Sequence, residues 1–289
     1  MLHDETEVEP VPGAASPPEP DGPPGPARRR VAAARASAVG WALVGMAVLI
    51  GLWQLASLRS PDLPTPTEGF RELWKLVSNP FYDNGPNDKG IGRQLAISIQ
   101  RVFTGFALAT LVGVPLGLLI GASRRAWQAV NPLVQVLRPV SPLAWFPILL
   151  VVMKDAGKAA VFVVFITALW PTVINTAAGV AGVPRDHRNV ARVFRFSRMA
   201  YVRHVLLPDS LPSIITGLRL SMGIGWMVIV AAEMLSGGAG IGFFVWNSYN
   251  ASNLSAVIAA IVLIGAIGFT LDSLFMRLGR HFSVEEVHG

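Results

Sequence analysis

Cysteine is absent from this 289-residue chain. Its absence excludes disulfide scaffolds, thiolate metal sites and cysteine nucleophiles. Histidine is scarce: His3, His187, His204, His281 and His288 are scattered without metal-ligand spacing, so no metal site is expected. Charge is scarce as well. Asp, Glu, Lys and Arg make up 15% of the residues, against about one quarter in a soluble domain. That argues against an ordinary soluble enzyme, and equally against a disordered chain, which would be polar and highly charged. There is no G-x-x-x-x-G-K-[ST] loop. The nearest fragment, Gly157-Lys158-Ala159, lacks the first glycine and the hydroxyl residue, so the chain is not expected to bind and hydrolyse ATP itself. Nor is there a cluster of His, Asp or Glu at one membrane depth, as an intramembrane enzyme would need. What is abundant is apolar surface: 52% of residues are hydrophobic and the mean hydropathy is +0.49. The composition describes a multi-span membrane protein.

The net charge of +6 would suggest a nucleic-acid partner in a soluble protein. Here its distribution points elsewhere. In residues 1–35 six acidic side chains face four arginines, leaving −2, so the remainder carries +8. Residues 1–37 are rich in Pro, Glu and Ala with no apolar periodicity, and are expected to form a disordered tail. Six apolar segments follow, near 38–58, 102–123, 126–153, 159–181, 211–235 and 254–271. About 20 residues cross the hydrocarbon core, so each qualifies by length or nearly so. The third holds Arg138 and four prolines, and the Arg138-Pro139-Val140-Ser141-Pro142 run predicts a kinked or broken span. The fifth holds Arg219 and Glu233.

Loop charge orients the spans. Arginines precede the first segment, follow the second, crowd the loop after the fourth and follow the sixth. With six spans all these sites share one side, which the positive-inside rule makes cytoplasmic. Both termini, including the C-terminus at 279–289, are then expected inside a plasma or inner membrane. In the external loop at 59–93, Thr65-Pro66-Thr67-Glu68 has the pattern of a capping box with proline at the first helical position. Phe70, Leu73, Trp74 and Val77 then recur at helical spacing, which predicts an amphipathic helix, lying either on the membrane surface or against the protein.

The loop at 184–206 is the most distinctive segment. At helical spacing Arg188, Arg192, Arg195 and Arg203 share one arc, with Val190, Val193, Phe194, Ala200 and Tyr201 opposite. An amphipathic helix too polar to span a membrane fits either an anionic lipid surface or a partner protein. With the Leu207-Pro208 and Pro212 that follow, the segment resembles the EAA loop of the integral permease subunits of ATP-binding cassette importers. Aligned on Leu207-Pro208, Ser197 falls on the family serine, Ala191 on the second family alanine, and Pro208 and Pro212 on the closing prolines. Asn189 stands where the family has glutamate and Arg195 where it has glycine. That glycine allows a turn between two short helices, whereas arginine is expected to continue the helix.

The runs at 188–193 and 225–247 are similar to the nitrate/nitrite branch of these permeases, which includes bicarbonate and cyanate importers and is close to the taurine and aliphatic sulfonate permeases. The resemblance covers roughly residues 61–281. It implies an all-α membrane protein with six transmembrane helices and a cytoplasmic coupling helix between the fourth and fifth. It implies a dimer of such permeases, two nucleotide-binding subunits that hold ATP and Mg, and an external substrate-binding protein. This chain would itself bind no cofactor. Coupling to the ATPase subunit would fall to Arg188, Asn189, Ala191, Arg192, Arg195, Ser197, Arg198, Tyr201, Arg203 and Pro208. The expected substrate is a small oxyanion, nitrate or nitrite first, with taurine or an aliphatic sulfonate second.

Residues inside the spans complete the candidate set. Intramembrane charges face a cavity or a partner. Glu233 is read as reaching its interface or closing an interhelical ion pair, because a carboxylate repels an anionic substrate. Arg138 and Arg219 are candidate anion contacts, with snorkelling or pairing to Glu233 as the alternatives. Trp145 and Ser141 flank the proline-rich break, and Trp226, beside Gly223 and Gly225, is a candidate central gate. Trp170 reads as an interface residue, and Thr172, Asn175 and Ser221 as helix–helix hydrogen-bonding groups.

Overall fold

A computed structural model of the chain describes residues 26–85 and 88–284. Residues 1–25 and 285–289 lie outside the described residues, and with them most of the tail expected to be disordered. The chain divides into two units, one ending at Ala56 and one beginning at Ser57. The described residues of the first belong to helix α1, Pro26–Arg59, whose last turn passes the boundary. It begins earlier than the apolar segment at 38–58 because Pro26 is suited to a first helical position and the Arg- and Ala-rich stretch after it consists of helix formers. Its part long and apolar enough to cross a membrane is Val39–Arg59.

The second unit is helical nearly throughout. Helix α2, Pro66–Ser78, has both halves of the expected capping box: Glu68 N donates to Thr65 Oγ1, and the Glu68 carboxylate accepts from Thr65 N at 2.8 Å. The hydrogen bonds that this carboxylate accepts from Thr65 N and Thr65 Oγ1 hold the Glu68 carboxyl below the ordinary glutamate range. Helix α3, Ile91–Gly121, leads through Ser123, which caps the next helix, to α4, Arg124–Leu137. The chain then breaks, makes one 3-10 turn at Pro142–Trp145 and resumes as α5, Phe146–Met153. The two halves of this pair are bent by 83°. The cause is local: Pro139 and Pro142 cannot donate to a helical ladder, and Ser141, ahead of Pro142, is extended (ψ 125°). The break that the proline run predicts is therefore present.

Lys154 turns the chain in the left-handed conformation, and Asp155 caps α6, Ala156–Gly182. After α6 come α7, Arg185–Val193, the single turn α8, Arg198–Tyr201, a π turn at Val202–Leu206, and α9, Leu207–Ser236. Helix α10, Ile241–Asn250, occupies the uncharged loop before α11, Leu254–Val284. Among the described residues five helices are long and apolar enough to cross a membrane, or up to six if the bent pair counts as one span. Helix α10 went unforeseen, since a ten-residue helix with no charge pattern looks like a loop in sequence.

Helix α6 lies at the centre, packed along α3 on one side and α9 on the other. Close approach to α3 depends on small residues every fourth position: Gly105, Ala109, Gly113, Gly117 and Gly121. A Cβ on Gly117 would come within 2.5 Å of Thr176 Cβ, and one on Gly121 within 2.5 Å of the Ala177 carbonyl. The core between α3, α6, α9 and α10 is formed by Val102, Val163, Val164, Met222, Ile229 and Ile241, all buried. Helix α2 packs mainly on α11, burying Gly69 and leaving Phe70, Trp74 and Val77 exposed. It therefore rests on the protein, and its most apolar stripe still faces outward.

Candidate functional site

Glu233, near the end of α9, is fully buried. Its Oε1 accepts from Arg101 of α3 at 2.9 Å, and its Oε2 accepts from Ser98 Oγ at 2.7 Å and Gly242 N at 3.1 Å. Ser98 Oγ in turn accepts from Ile241 N, Gln94 Oε1 accepts from Gly240 N, and Arg101 also donates to the Ala239 carbonyl. The first turn of α10 has no side-chain cap of its own. Its orphan N–H groups are satisfied by α3 and by Glu233, whose negative charge lies at the positive end of the α10 dipole. The cluster is compact: a Cβ on Gly240 would collide with the Glu233 carboxylate and one on Gly242 with the Val230 carbonyl. Glu233 thus closes an interhelical ion pair, but with Arg101. Arg101 sits one residue ahead of the apolar segment at 102–123, which is why it was passed over in sequence.

The other charge of α9 is paired as well. Arg219 donates through Nε and Nη2 to both carboxylate oxygens of Asp272 on α11, at 2.6 and 2.8 Å. This two-point fork takes Arg219 out of the set of free cations. Asp272 stands just beyond the segment at 254–271, so sequence reading missed it. Trp226 is a strut joining α9 to α11: it is buried, its Nε1 donates to the Ile264 carbonyl at 3.0 Å, and its ring lies over Gly268. The expected gate position is therefore a packing contact. Ser221 likewise ties α9 to α6, with Thr172 Oγ1 at 2.8 Å and a hydrogen bond to the Ala168 carbonyl at 2.7 Å.

Arg138 differs from all of these. It lies at the break between α4 and α5, pairs with neither Arg219's partner nor Glu233, and its guanidinium has no ion pair or hydrogen bond among the described residues. Two cavities meet at it. One, of about 420 Å³, lies between the break, α6 and α9 and is lined also by Trp145, Thr167, Trp170, Asn175 and Leu220. The other, of about 620 Å³, is lined by Trp127, Asn131, Gln135 and Pro139, and shares Arg138 and Ile174 with the first. Ser141 is exposed and lines neither.

At the α7 end the expected continuous helix over 188–204 does not form. Arg195 adopts a left-handed backbone, φ 49°, and ends α7. Phe196 N donates to the Ala191 carbonyl at 3.0 Å and Arg195 N to the Arg192 carbonyl at 3.1 Å. These are the two bonds of a Schellman motif, with arginine where glycine is usual. The turn survives the loss of glycine because both bonds persist and Ser197 caps the next turn, accepting from Ala200 N at 3.2 Å. Arg188, expected on the outward arc, instead reaches back to the Val180 and Ala181 carbonyls at the end of α6. Ala191 is buried, and Tyr201 packs beside the Val180–Val183–Leu206 cluster.

His187 Nδ1 lies 2.7 Å from Asp209 Oδ2, and that hydrogen bond and charge raise the histidine pKa above its ordinary value. Facing outward are Val193, Phe194 and Met199, each more than 70% exposed. Beside them Asn189, Arg192, Arg195, Arg198, Arg203 and Pro208 are also exposed. Apolar and basic groups therefore share one exposed surface.

Comparisons with known proteins converge. The family model described as "Binding-protein-dependent transport system inner membrane component" matches residues 113–284. The chain is 48% identical over 230 residues to the nitrate import permease protein NrtB of Synechocystis sp. (strain ATCC 27184 / PCC 6803 / Kazusa), covering 79% of this chain and 84% of that protein. It is 43% identical to the bicarbonate transport system permease protein CmpB of Synechococcus elongatus (strain ATCC 33912 / PCC 7942 / FACHB-805), covering 82% and 87%. In three dimensions it is similar to a chain of the MetNI methionine ABC transporter in an inward-facing conformation. That likeness has a TM-score of 0.59 at 18% identity and covers 66% of this chain and 95% of the other.

Proposed function

This chain belongs to the family of binding-protein-dependent transport system inner membrane components, and we propose that it moves a small oxyanion, nitrate or nitrite first, into the cell. It is the membrane permease subunit of an ATP-binding cassette importer, and its close relatives are permeases for nitrate and bicarbonate. ATP hydrolysis takes place on separate subunits, and the permease works as a dimer of identical chains with two such ATPases and an external binding protein. The α7 end and both termini face the cytoplasm, in keeping with the arginines of the loops at that end.

The observation that carries this reading is the outward surface of α7 and α8. A turn held by two backbone bonds presents Val193, Phe194 and Met199 among Arg192, Arg195 and Arg198. His187–Asp209 and Arg188 fasten the same turn to α9 and α6. A push on this surface therefore reaches two central helices. Closure of two ATPases on ATP would move two such turns together and switch the pathway between inward and outward access.

The test is ATPase activity of the permease co-purified with its ATPase subunit in proteoliposomes, with binding protein, on adding nitrate or taurine. Stimulation by nitrate alone is expected. Stimulation by taurine alone would move the substrate to the sulfonates, and failure to co-purify any ATPase would refute the importer reading.

A further inference from the structure

We propose that the break between α4 and α5 is an anion-binding station on the transport path, built by Arg138 and the indole N–H groups of Trp145 and Trp170. The proposal rests on the oxyanion reading above and names the residues that would meet the substrate. The cavities on either side of the break are lined by several side-chain N–H donors. Arg138 brings unpaired guanidinium N–H groups, and the Trp145 and Trp170 indoles make no hydrogen bond among the described residues. By contrast, Trp226 donates to a backbone carbonyl, and Arg101 and Arg219 to carboxylates. The Arg138, Trp145 and Trp170 donors stand open beside the sharply bent helix pair α4–α5.

No aspartate or glutamate lines either cavity. One cation without a neighbouring carboxylate suits a ligand with one negative charge. It gives nothing to pair with an ammonium group, so a zwitterion such as taurine would carry an unpaired cation into the site. The planar fork of arginine binds two oxygens of a planar or trigonal oxyanion at once, which a lysine ammonium does with less geometric discrimination. The remaining walls, such as Ile166, Leu220 and Ile224, are apolar and exclude competing water.

The reconstituted importer, with its ATPase and binding-protein subunits, tests this through nitrate moved per ATP hydrolysed at saturating nitrate-loaded binding protein. Arg138→Gln is expected to lower that ratio about tenfold or more. Arg138→Lys, which keeps the charge but not the fork, should restore only part of it, and Trp170→Phe should lower it about threefold. Taurine should not compete with nitrate in the wild-type complex. An unchanged ratio in Arg138→Gln, or competition by taurine as strong as by nitrate itself, overturns the proposal. Should Arg138→Gln fail to assemble, Trp170→Phe, which keeps the ring, decides it: an unchanged ratio counts against the site. Wild-type complex that moves no oxyanion refutes the functional reading first and this site with it. Normal nitrate transport with insensitive variants refutes the site alone.

Discussion

Glu233 and Arg138 are both charged, both belong to membrane-spanning segments, and are treated in opposite ways. Around Glu233 every strong group is answered: a cation, a hydroxyl and a backbone N–H converge on one carboxylate, and their neighbours cap α10. Around Arg138 nothing is answered, and two cavities open onto it. A charge that is buried and saturated holds helices together. One that is open and unpaired is available to something that comes and goes. The difference cannot be read from residue type, only from what lies within 3 Å.

The sharpest way to break this contrast is to delete both charges. Glu233→Ala should destabilise the protein by about 3–5 kcal/mol, because it leaves Arg101 without its carboxylate and Gly242 N, in the first turn of α10, without its acceptor. Arg138→Ala should change stability by no more than about 0.5 kcal/mol. Thermal unfolding in detergent reads both, and equal losses would erase the distinction. Trp226→Phe sharpens it at the next level. Losing the hydrogen bond to Ile264 should cost about 1 kcal/mol while nitrate moved per ATP stays at the wild-type value; a transport loss without a stability loss would return Trp226 to the pathway.

Arg195→Gly should act in the opposite direction, raising stability by about 1 kcal/mol, since glycine adopts the left-handed backbone at Arg195 without strain. The same unfolding measurement checks it, and a loss would mean that the arginine side chain holds the turn. The smallest effect concerns His187. Its pKa is raised in the folded state, chiefly by the hydrogen bond it donates to Asp209 and next by that carboxylate's charge. The pair's contribution is therefore complete below the ordinary histidine pKa of about 6.5 and is lost as pH rises through the higher folded value. His187→Gln should flatten the pH dependence of stability in that window. An unchanged slope would mean that the proton is not linked to folding.

Much of the architecture could be read from residue order alone. Long uncharged segments need no context to be recognised as spans, because a bilayer sets their length. The proline run at 138–142 announces its break because proline lacks an N–H wherever it stands, and Thr65-Pro66-Thr67-Glu68 encodes its cap within four residues. Local rules failed at Arg195, where helix propensity favours continuation and two backbone bonds of the turn outweigh it. They failed again for Arg188, whose direction was set by the free carbonyls at the end of α6.

Fold class and the site of the break were thus properties of the sequence by itself, since each arises from interactions within about twenty residues. Tertiary structure alone decided which charges are spent. Glu233 meets Arg101 across 132 positions and Arg219 meets Asp272 across 53, distances over which sequence pattern carries no pairing information. Whether a charge in a membrane is a rivet or a receptor follows from those distant encounters, because desolvation makes each buried ion depend on the partner that packing brings to it.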